Sequence, residues 1–177
     1  MDRDQLIDRG RVMVEKMRGD GAALPPRASR HAIGRAAIGG VIAIALVAGL
    51  TQGLDTALII GSFGATCVLI FGVPDAPFSQ PRNVVGGHFL STLAGLVFLE
   101  FSSSWWSVAL AVGAAIILMM ATQTVHPPAG SNPVIVVLGQ PDWDFLFFPT
   151  VVGAVLIVGV ALVYNNATRD ERYPKYW

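Results

Sequence analysis

Apolar residues dominate this chain in six segments that short polar stretches separate. The segments lie at about 36–54, 57–73, 84–101, 105–123, 133–140 and 148–164. Four of them reach the ~17–25 residues that a membrane-spanning helix needs, whereas the second is marginal and the fifth is too short. The pattern therefore predicts an all-α polytopic membrane protein with four long and two short membrane segments.

Two polar segments flank the apolar region. Residues 1–35 hold eight of the twelve Lys and Arg residues, and apolar side chains between positions 6 and 17 recur at helical spacing among them. This pattern predicts a basic amphipathic helix that lies on the membrane surface. We therefore divide the chain into a cytoplasmic segment 1–35, a transmembrane domain 36–165 and a cytoplasmic tail 166–177.

The distribution of charge predicts the topology. Basic residues collect at both ends of the chain, which places both termini on the cytoplasmic side of the inner membrane. Six crossings would put Arg82 inside and Asp55, Glu100, Asp142 and Asp144 outside. Four crossings would put Arg82 outside and Glu100 inside. Because six crossings distribute the positive charge better, we favour six, with four as the alternative.

Composition supports a membrane protein and argues against other classes. The chain is 53% hydrophobic and 14% charged, with a mean hydropathy of +0.58 and zero net charge. Globular proteins carry about a quarter charged residues, and zero net charge gives no reason to expect a nucleic acid as partner. The single cysteine, Cys67, excludes an internal disulfide, and its apolar surroundings indicate a buried thiol.

The two halves of the chain resemble each other at an offset of about 67 residues. The matching stretches are Gly64–Asp75 with Gly130–Asp142, and Pro81–Gly87 with Pro149–Ala154. Each unit, about 36–101 and 105–165, then holds three segments, and an odd number of crossings inverts the second unit. Two inverted three-segment repeats with broken or re-entrant short helices are typical of transporters. Chance similarity between apolar, Gly-rich stretches is the alternative.

Each repeat has a break that interrupts its helical pattern. Gly61–Thr66 and His126–Asn132 are rich in Gly, Ser or Pro, and each leads into a short apolar segment. Such backbone is tolerated at membrane depth where protein or a water-filled cavity covers it. Two helix N-termini that face each other there present partial positive charge and free N–H groups, which suit a small anion. We expect close backbone approach at Gly64 and Gly130 to leave no room for a side chain.

The motifs in these breaks resemble those of the HPP family of integral membrane proteins. The resemblance rests on Gly61–Ser91 and on His126–Val136, which includes the His-Pro-Pro motif, and it extends over about residues 33–165. Family members are described as having four transmembrane helices, which fits six apolar segments if the two short ones are re-entrant. Because plastid and cyanobacterial relatives are associated with nitrite transport, the resemblance implies nitrite as a substrate.

The candidate substrate-binding residues lie in and beside the two breaks. They are Gly61, Ser62, Gly64, Ala65, Thr66, Arg82, Asn83, His88, His126, Pro127, Pro128, Gly130, Ser131 and Asn132. His126 and His88 have a structural alternative, as neutral imidazoles that make hydrogen bonds between segments. Gly87, Ser91 and Gly95 recur every four residues, which indicates a face for close helix packing.

Several polar residues near the breaks have a capping interpretation. Gln80, Asn83 and Asn132 could each donate an N–H group to an anion, but capping of helix ends is the favoured reading. Asp75 and Asp142 follow prolines at the ends of the repeats, where we expect them to cap turns.

These features together predict a membrane transporter or channel for a small inorganic anion. A non-transporting membrane sensor or scaffold is the first alternative, and a metal or haem protein that uses His88 and His126 as ligands is the second. We expect no enzymatic activity, no catalytic or metal site and no cofactor. The expected partners are the anion and the lipid bilayer, with assembly into a homo-oligomer left open.

Overall fold

The computed structural model describes residues 3–54 and 58–177. The described residues form seven α-helices and no strand: α1 Arg3–Met17, α2 Arg30–Leu54, α3 Ser62–Gly72, α4 Pro81–Phe101, α5 Trp105–Ala121, α6 Asn132–Gly139 and α7 Val152–Thr168. The placement predicted for Asp55 lies outside the described residues. The all-helical architecture is as predicted.

Three helical stretches are long and apolar enough to cross a membrane. They are Arg30–Leu54, Pro81–Phe101 and Trp143–Thr168, the last formed by a 3₁₀ turn and a π-helical turn that lead into α7. Helices α3 and α5 are apolar but shorter, with 11 and 17 residues. The first span starts six residues before the predicted boundary at 36. The Ser29 hydroxyl accepts the Ala32 N–H at the start of this helix, as an N-cap does.

The short helices α3 and α6 both end at the first residue of a Gly-x-Pro-Asp sequence, Gly72 and Gly139. A proline two residues later cannot continue a helix, because it lacks an N–H donor and its ring clashes with the preceding turn. Gln140 adopts a left-handed conformation after α6, with φ of 47°. The same local sequence therefore stops both short helices.

Hydrogen bonds define two ends of the helix bundle. At the basic end, which holds Arg35, Asp75, Arg82 and Arg169, the Arg35 guanidinium donates to the Thr168 carbonyl at 2.8 Å. The start of α2 therefore lies beside the end of α7. At the opposite, aromatic end, the Trp143 indole donates to Glu100 at 2.7 Å.

The helices pack in two groups that meet at α4 and α7. Helix α2 packs against α3 and α7, whereas α5 packs against α4 and α6. The larger apolar core lies among α2, α3 and α7, around Val47, Phe63, Ile70 and Ile157. Cys67 belongs to this core, so the expectation of a buried thiol is confirmed.

The last nine residues fold back against the connection between α3 and α4. Tyr173 is buried and donates its hydroxyl to the Ser79 carbonyl at 2.8 Å, while the Lys175 amide donates to Gln80 at 2.8 Å. Arg169 and Lys175 both pair with Asp75. We name residues 169–177 the C-terminal clasp.

Asp75 was predicted to cap a turn, and that prediction is wrong because its carboxylate turns toward the clasp. Burial by itself raises the pKa of Asp75. Hydrogen bonds from Lys175 and Arg169, with their positive charges, outweigh that effect and lower its pKa below the ordinary value. Asp142 also makes no side-chain capping bond.

Candidate functional site

The N-terminal ends of the two short helices meet inside the bundle. Ser62 is the first residue of α3, and its hydroxyl donates to the side-chain oxygen of Asn132, the first residue of α6, at 2.7 Å. Both side chains are buried, at 4% and 0% exposure. The segments that precede them are irregular: residues 58–60 have no regular structure, and Pro127–Ser131 form a 3₁₀ turn.

Two histidines and a threonine continue this contact as a chain of hydrogen bonds. The Thr66 hydroxyl lies 2.9 Å from His88 Nε2 and 3.0 Å from His126 Nε2. The other nitrogen of each ring has a different partner. His126 Nδ1 lies 2.7 Å from the Phe78 carbonyl, and His88 Nδ1 lies 3.0 Å from the Asn132 side-chain nitrogen. We name Ser62, Thr66, His88, Thr92, His126 and Asn132 the polar cluster.

The partners at each end of this chain define its direction. The Phe78 carbonyl can only accept, so His126 Nδ1 carries a hydrogen, and in the neutral form of the ring His126 Nε2 is then an acceptor. The Asn132 nitrogen can only donate, so His88 Nδ1 accepts and His88 Nε2 carries the hydrogen. Thr66 consequently accepts from His88 and donates to His126. Both imidazoles are neutral in this arrangement.

Thr92 and Thr150 belong to the site but were not among the candidates. Thr92 Oγ1 accepts from Asn132 at 2.8 Å and lies 3.4 Å from the Thr150 hydroxyl, and both threonines are fully buried. Thr92 lies four residues after His88, so helical spacing places both on one face of α4. That spacing was a usable signal for Thr92. Thr150 lies in the π-helical turn, where no helical periodicity in the sequence indicated which way its side chain points.

Small residues on α4 let the His-Pro-Pro turn approach closely. A Cβ atom added at Gly87 would lie 2.7 Å from His126 Cβ, and one at Gly95 would lie 2.9 Å from Pro133 Cα. Between them, the Ser91 hydroxyl donates to the Ala129 carbonyl. The close packing predicted for this face is confirmed, and the packed partner is the turn and the start of α6.

Steric exclusion at Gly64 and Gly130 was wrongly predicted. No heavy atom outside the local backbone lies within 4 Å of a Cβ atom added at either position. Gly64 and Ala65 lie on the exposed face of α3, away from Ser62 and Thr66. A helix that starts at Ser62 has the N–H groups without an intrahelical partner in its first turn, before Ala65, and the Phe63 N–H donates to the Ile60 carbonyl. In the described residues the break therefore precedes Ser62 and does not extend to Thr66.

The remaining candidates lie around the cluster rather than in it. Arg82 is exposed and donates to the Thr122 carbonyl at 3.1 Å, and Asn83 donates to the Val125 carbonyl at 3.0 Å. These bonds tie the chain that enters the His-Pro-Pro turn to the first turn of α4. The Ser131 side chain is exposed and donates to the Pro128 carbonyl. Gly61 and Pro127 are likewise exposed.

The capping roles favoured for Asn132 and Gln80 are wrong. Neither α4 nor α6 has a side-chain capping bond. Asn132 is fully buried, so both ends of its amide must find partners, and it bonds Ser62, His88 and Thr92 across the bundle. Gln80 instead donates to the Pro74 and Ala76 carbonyls.

The polar cluster offers an anion neutral donors without a competing negative charge. Its side chains are hydroxyls, an amide and imidazoles, and no Asp, Glu, Lys or Arg is buried among the residues that the structure describes. Each helix N-terminus adds about half a positive charge. A small anion could therefore bind here in place of bonds within the cluster, whereas a cation would find no carboxylate from the described residues.

Comparisons with known proteins indicate a transmembrane protein. A family model described as "HPP, transmembrane region" matches residues 25–174. One transmembrane protein of Dictyostelium discoideum is 41% identical over 149 residues, covering 78% of this chain and 52% of the relative. A second from the same organism is 35% identical over 170 residues, covering 89% and 55%. The chain spans about half the length of these relatives. No solved structure matches it.

Proposed function

The chain belongs to the HPP family of transmembrane proteins, and from that premise we propose that it transports a small inorganic anion. The observation that carries this proposal is the hydrogen bond between the first residues of two half-length helices inside the bundle, Ser62 and Asn132. Paired half-helices whose N-termini point at a buried polar site are the arrangement by which many transporters hold anionic groups.

The electrostatics of the polar cluster favour passage over tight binding. A fixed, buried arginine would hold an anion strongly, and conduction requires that the anion also leave. Two converging helix N-termini with hydroxyl and amide donors offset part of the desolvation cost of a monovalent anion. The side chains of the cluster are at most 4% exposed. We therefore assign this conformation to a closed state, which must open at the cluster during transport.

The proposed transporter consists of two inverted repeats. Glycines in the third helix of each unit lie against the break of the other unit, and these contacts support the proposed repeat. Gly86 and Gly87 on α4 lie against Thr124 and His126, which lead into the short helix of the other unit. Gly153 on α7 lies against the Leu58 carbonyl, which leads into the short helix α3. An inverted repeat relates the two contacts, because each third helix then packs on the break of the other unit.

The partners of His88 agree with the same symmetry. Alignment of Gly64 with Gly130 pairs Thr66 with Asn132. These two residues hold the two nitrogens of the His88 ring, at 2.9 and 3.0 Å. In this proposal six segments cross the membrane, and each short helix completes a crossing that an irregular segment begins. The basic end faces the cytoplasm, in accordance with the positive-inside rule.

Nitrite is the anion we propose first, since the resemblance of the two breaks to family motifs implied it. The test measures anion uptake into vesicles that contain the purified protein, offered nitrite, nitrate or chloride in turn, with potassium as the cation control. We expect protein-dependent uptake of nitrite and slower or no uptake of potassium. Vesicles without protein supply the leak of neutral nitrous acid, which is subtracted. Uptake of potassium without any anion uptake would refute an anion transporter.

A further inference from the structure

We propose that one proton crosses with each anion and is carried by the pair of histidines in the polar cluster. This inference rests on the proposed function, and it specifies the coupling that the function left open. It starts from the hydrogen-bond chain His88–Thr66–His126, whose members are 0% exposed. Within the described part of the chain this pair has no buried charged neighbour, and an ionisable pair at membrane depth is the kind of group on which proton relays are built.

The chain can accept a proton by rotating one hydroxyl group. Thr66 Oγ1 lies 3.2 Å from the Ser62 carbonyl, one turn earlier in α3. In the neutral cluster, Thr66 donates its hydrogen to His126 Nε2. When a proton binds at His126 Nε2, the Thr66 hydrogen turns to the Ser62 carbonyl, and Thr66 Oγ1 then accepts from both imidazoles. A hydroxyl oxygen has two lone pairs, so no buried donor is left unpaired.

The same geometry limits the cluster to one added proton. A second proton would have to bind at His88 Nδ1, which already accepts a hydrogen from the Asn132 nitrogen at 3.0 Å. Two donors would then face each other in a site closed to water, a costly arrangement. The imidazole rings are also only 5.0 Å apart between centroids, so two positive charges would repel. The structure therefore favours a stoichiometry of one proton.

The side chains around the cluster leave the anion to balance the positive charge of the added proton. Facing the two histidines are the hydroxyls of Ser62 and Thr66 on α3 and Thr92 on α4, the amide of Asn132 on α6 and the Phe78 carbonyl. The charged residues Asp75, Arg82 and Arg169 lie at the basic end. Cys67 follows Thr66 in α3 and lies in the core between α2 and α7.

Among the residues that the structure describes, no acidic side chain is thus available to balance an imidazolium in the cluster. Binding of the proton and binding of the anion stabilise each other, and linkage makes this coupling reciprocal. The neutral pair, a proton with a monovalent anion, avoids the cost of placing either charge alone at membrane depth. Transport of the pair moves no net charge across the membrane.

The test separates a proton gradient from a membrane potential in vesicles that contain the protein. With potassium and valinomycin clamping the potential at zero, an inward proton gradient should drive protein-dependent nitrite uptake. An inside-positive potential without a proton gradient should not accelerate uptake. The opposite result, uptake that follows potential and ignores the proton gradient, would overturn the coupling and leave anion transport intact. No protein-dependent flux under either condition would overturn both proposals.

Variants of Thr66 test the relay itself. Thr66→Val keeps the shape of the side chain but removes the hydroxyl, and proton-driven uptake should fall about tenfold or more, as the loss of a buried hydrogen bond predicts. Thr66→Ser keeps the hydroxyl and should retain proton-driven uptake. Thr168→Val removes a comparable hydroxyl that bonds the Tyr164 carbonyl at the end of α7, and it is the matched control. Equal proton-driven uptake in Thr66→Val and wild type would overturn the relay.

Discussion

His126 connects three separate parts of the protein through one side chain. Its ring bonds the Phe78 carbonyl in the α3–α4 connection and approaches Thr66 in α3, and its Cβ atom lies against Gly87 on α4. The two prolines that follow it start the 3₁₀ turn that leads to α6. A substitution at His126 can therefore change either the hydrogen-bond chain or the packing, and the two effects need separate variants.

Replacement of His126 by glutamine changes only the chemistry. The glutamine amide can still donate to the Phe78 carbonyl and accept from Thr66, but it cannot take up a proton. His126→Gln should keep a residual nitrite flux and lose the rise in protein-dependent flux at lower pH. The measurement is the initial rate of uptake at several pH values, with the leak of protein-free vesicles subtracted. A variant that keeps the full pH response would show that the charge of His126 plays no part.

Replacement of Gly87 by alanine changes only the packing. The added Cβ atom would lie 2.7 Å from His126 Cβ and 2.9 Å from the Thr124 carbonyl, so backbone must move. Overpacking of this kind destabilises by about 1–3 kcal/mol. Gly64→Ala, where the Cβ atom meets nothing within 4 Å, is the matched control. Denaturation in mild detergent should show a lower midpoint for Gly87→Ala alone, and equal midpoints would contradict the packing.

The sequence predicted which polar side chains meet better than it predicted the bonds that they make. Ser62, Thr66, His88, His126 and Asn132 were predicted because they lie in or beside the two breaks, and the structure brings their side chains together. Which glycines are crowded could not be read in the same way. Crowding depends on the segment that passes opposite, and a single sequence does not reveal that neighbour.

Two elements outside the membrane-spanning helices hold the α3–α4 connection in place. The C-terminal clasp binds one side of it through Ser79, Gln80 and Asp75. The His-Pro-Pro turn binds the other side through Phe78. Because both contacts reach the same short connection, displacement of the clasp should loosen the support of His126.

The clasp should be sensitive to acid through Asp75. A carboxyl with a lowered pKa in the folded state stabilises that state fully above its unfolded pKa, and the contribution is lost as pH falls below it. Asp75→Asn should therefore lower the unfolding midpoint at neutral pH and have less effect at an acid pH below the lowered folded-state pKa of Asp75. The side chain is half exposed, so the expected effect is at most about 1 kcal/mol.

The control for this measurement is Asp170→Asn, which removes a carboxylate from the same clasp. It should leave the unfolding midpoint at neutral pH close to that of wild type, because Asp170 is exposed, whereas the carboxylate that pairs with both Arg169 and Lys175 is that of Asp75. If Asp75→Asn destabilises equally at both pH values, the loss is one of packing or hydrogen bonding rather than of an ion pair.

Element boundaries followed from sequence where a local rule applied. Gly-x-Pro-Asp stopped both short helices at the expected places, since proline acts on its immediate neighbours. The start of α3 was predicted less well. Its preceding break was predicted at Gly61–Thr66 because glycine disfavours a helix, yet one glycine costs a helix only about 1 kcal/mol relative to alanine, and Gly64 lies within α3.

At the scale of the whole molecule, the positions of the charged and aromatic side chains give the bundle two unlike ends. Arg35, Arg82 and Arg169 share one end, whereas Glu100 and Trp143 share the other. The lengths of the apolar runs predicted where the apolar helices lie. They could not decide whether a helix of eight residues takes part in a membrane crossing, because that depends on the irregular segment before it.

Single cysteines introduced at the two ends of the bundle test this orientation. In a Cys67→Ser background, Arg172→Cys should resist a membrane-impermeant thiol reagent in intact cells and react after permeabilisation. Ser103→Cys, between α4 and α5, should react from outside without permeabilisation. Reaction of both cysteines from the same side would contradict an odd number of crossings between the two positions. Reaction of Arg172→Cys from outside, with Ser103→Cys protected, would reverse the orientation.

The measurement that tests the central claim most directly compares nitrite uptake in two matched asparagine variants. Asn132 and Asn165 are both buried in membrane helices, but only Asn132 lies in the polar cluster, while Asn165 donates to the Ile70 carbonyl. If small anions pass through the cluster, nitrite uptake by Asn132→Ala should be at least about tenfold slower than wild-type uptake, as expected from a lost buried hydrogen bond. Asn165→Ala should keep most of the wild-type uptake. Equal uptake by both variants, at the wild-type rate, would contradict a path through the cluster.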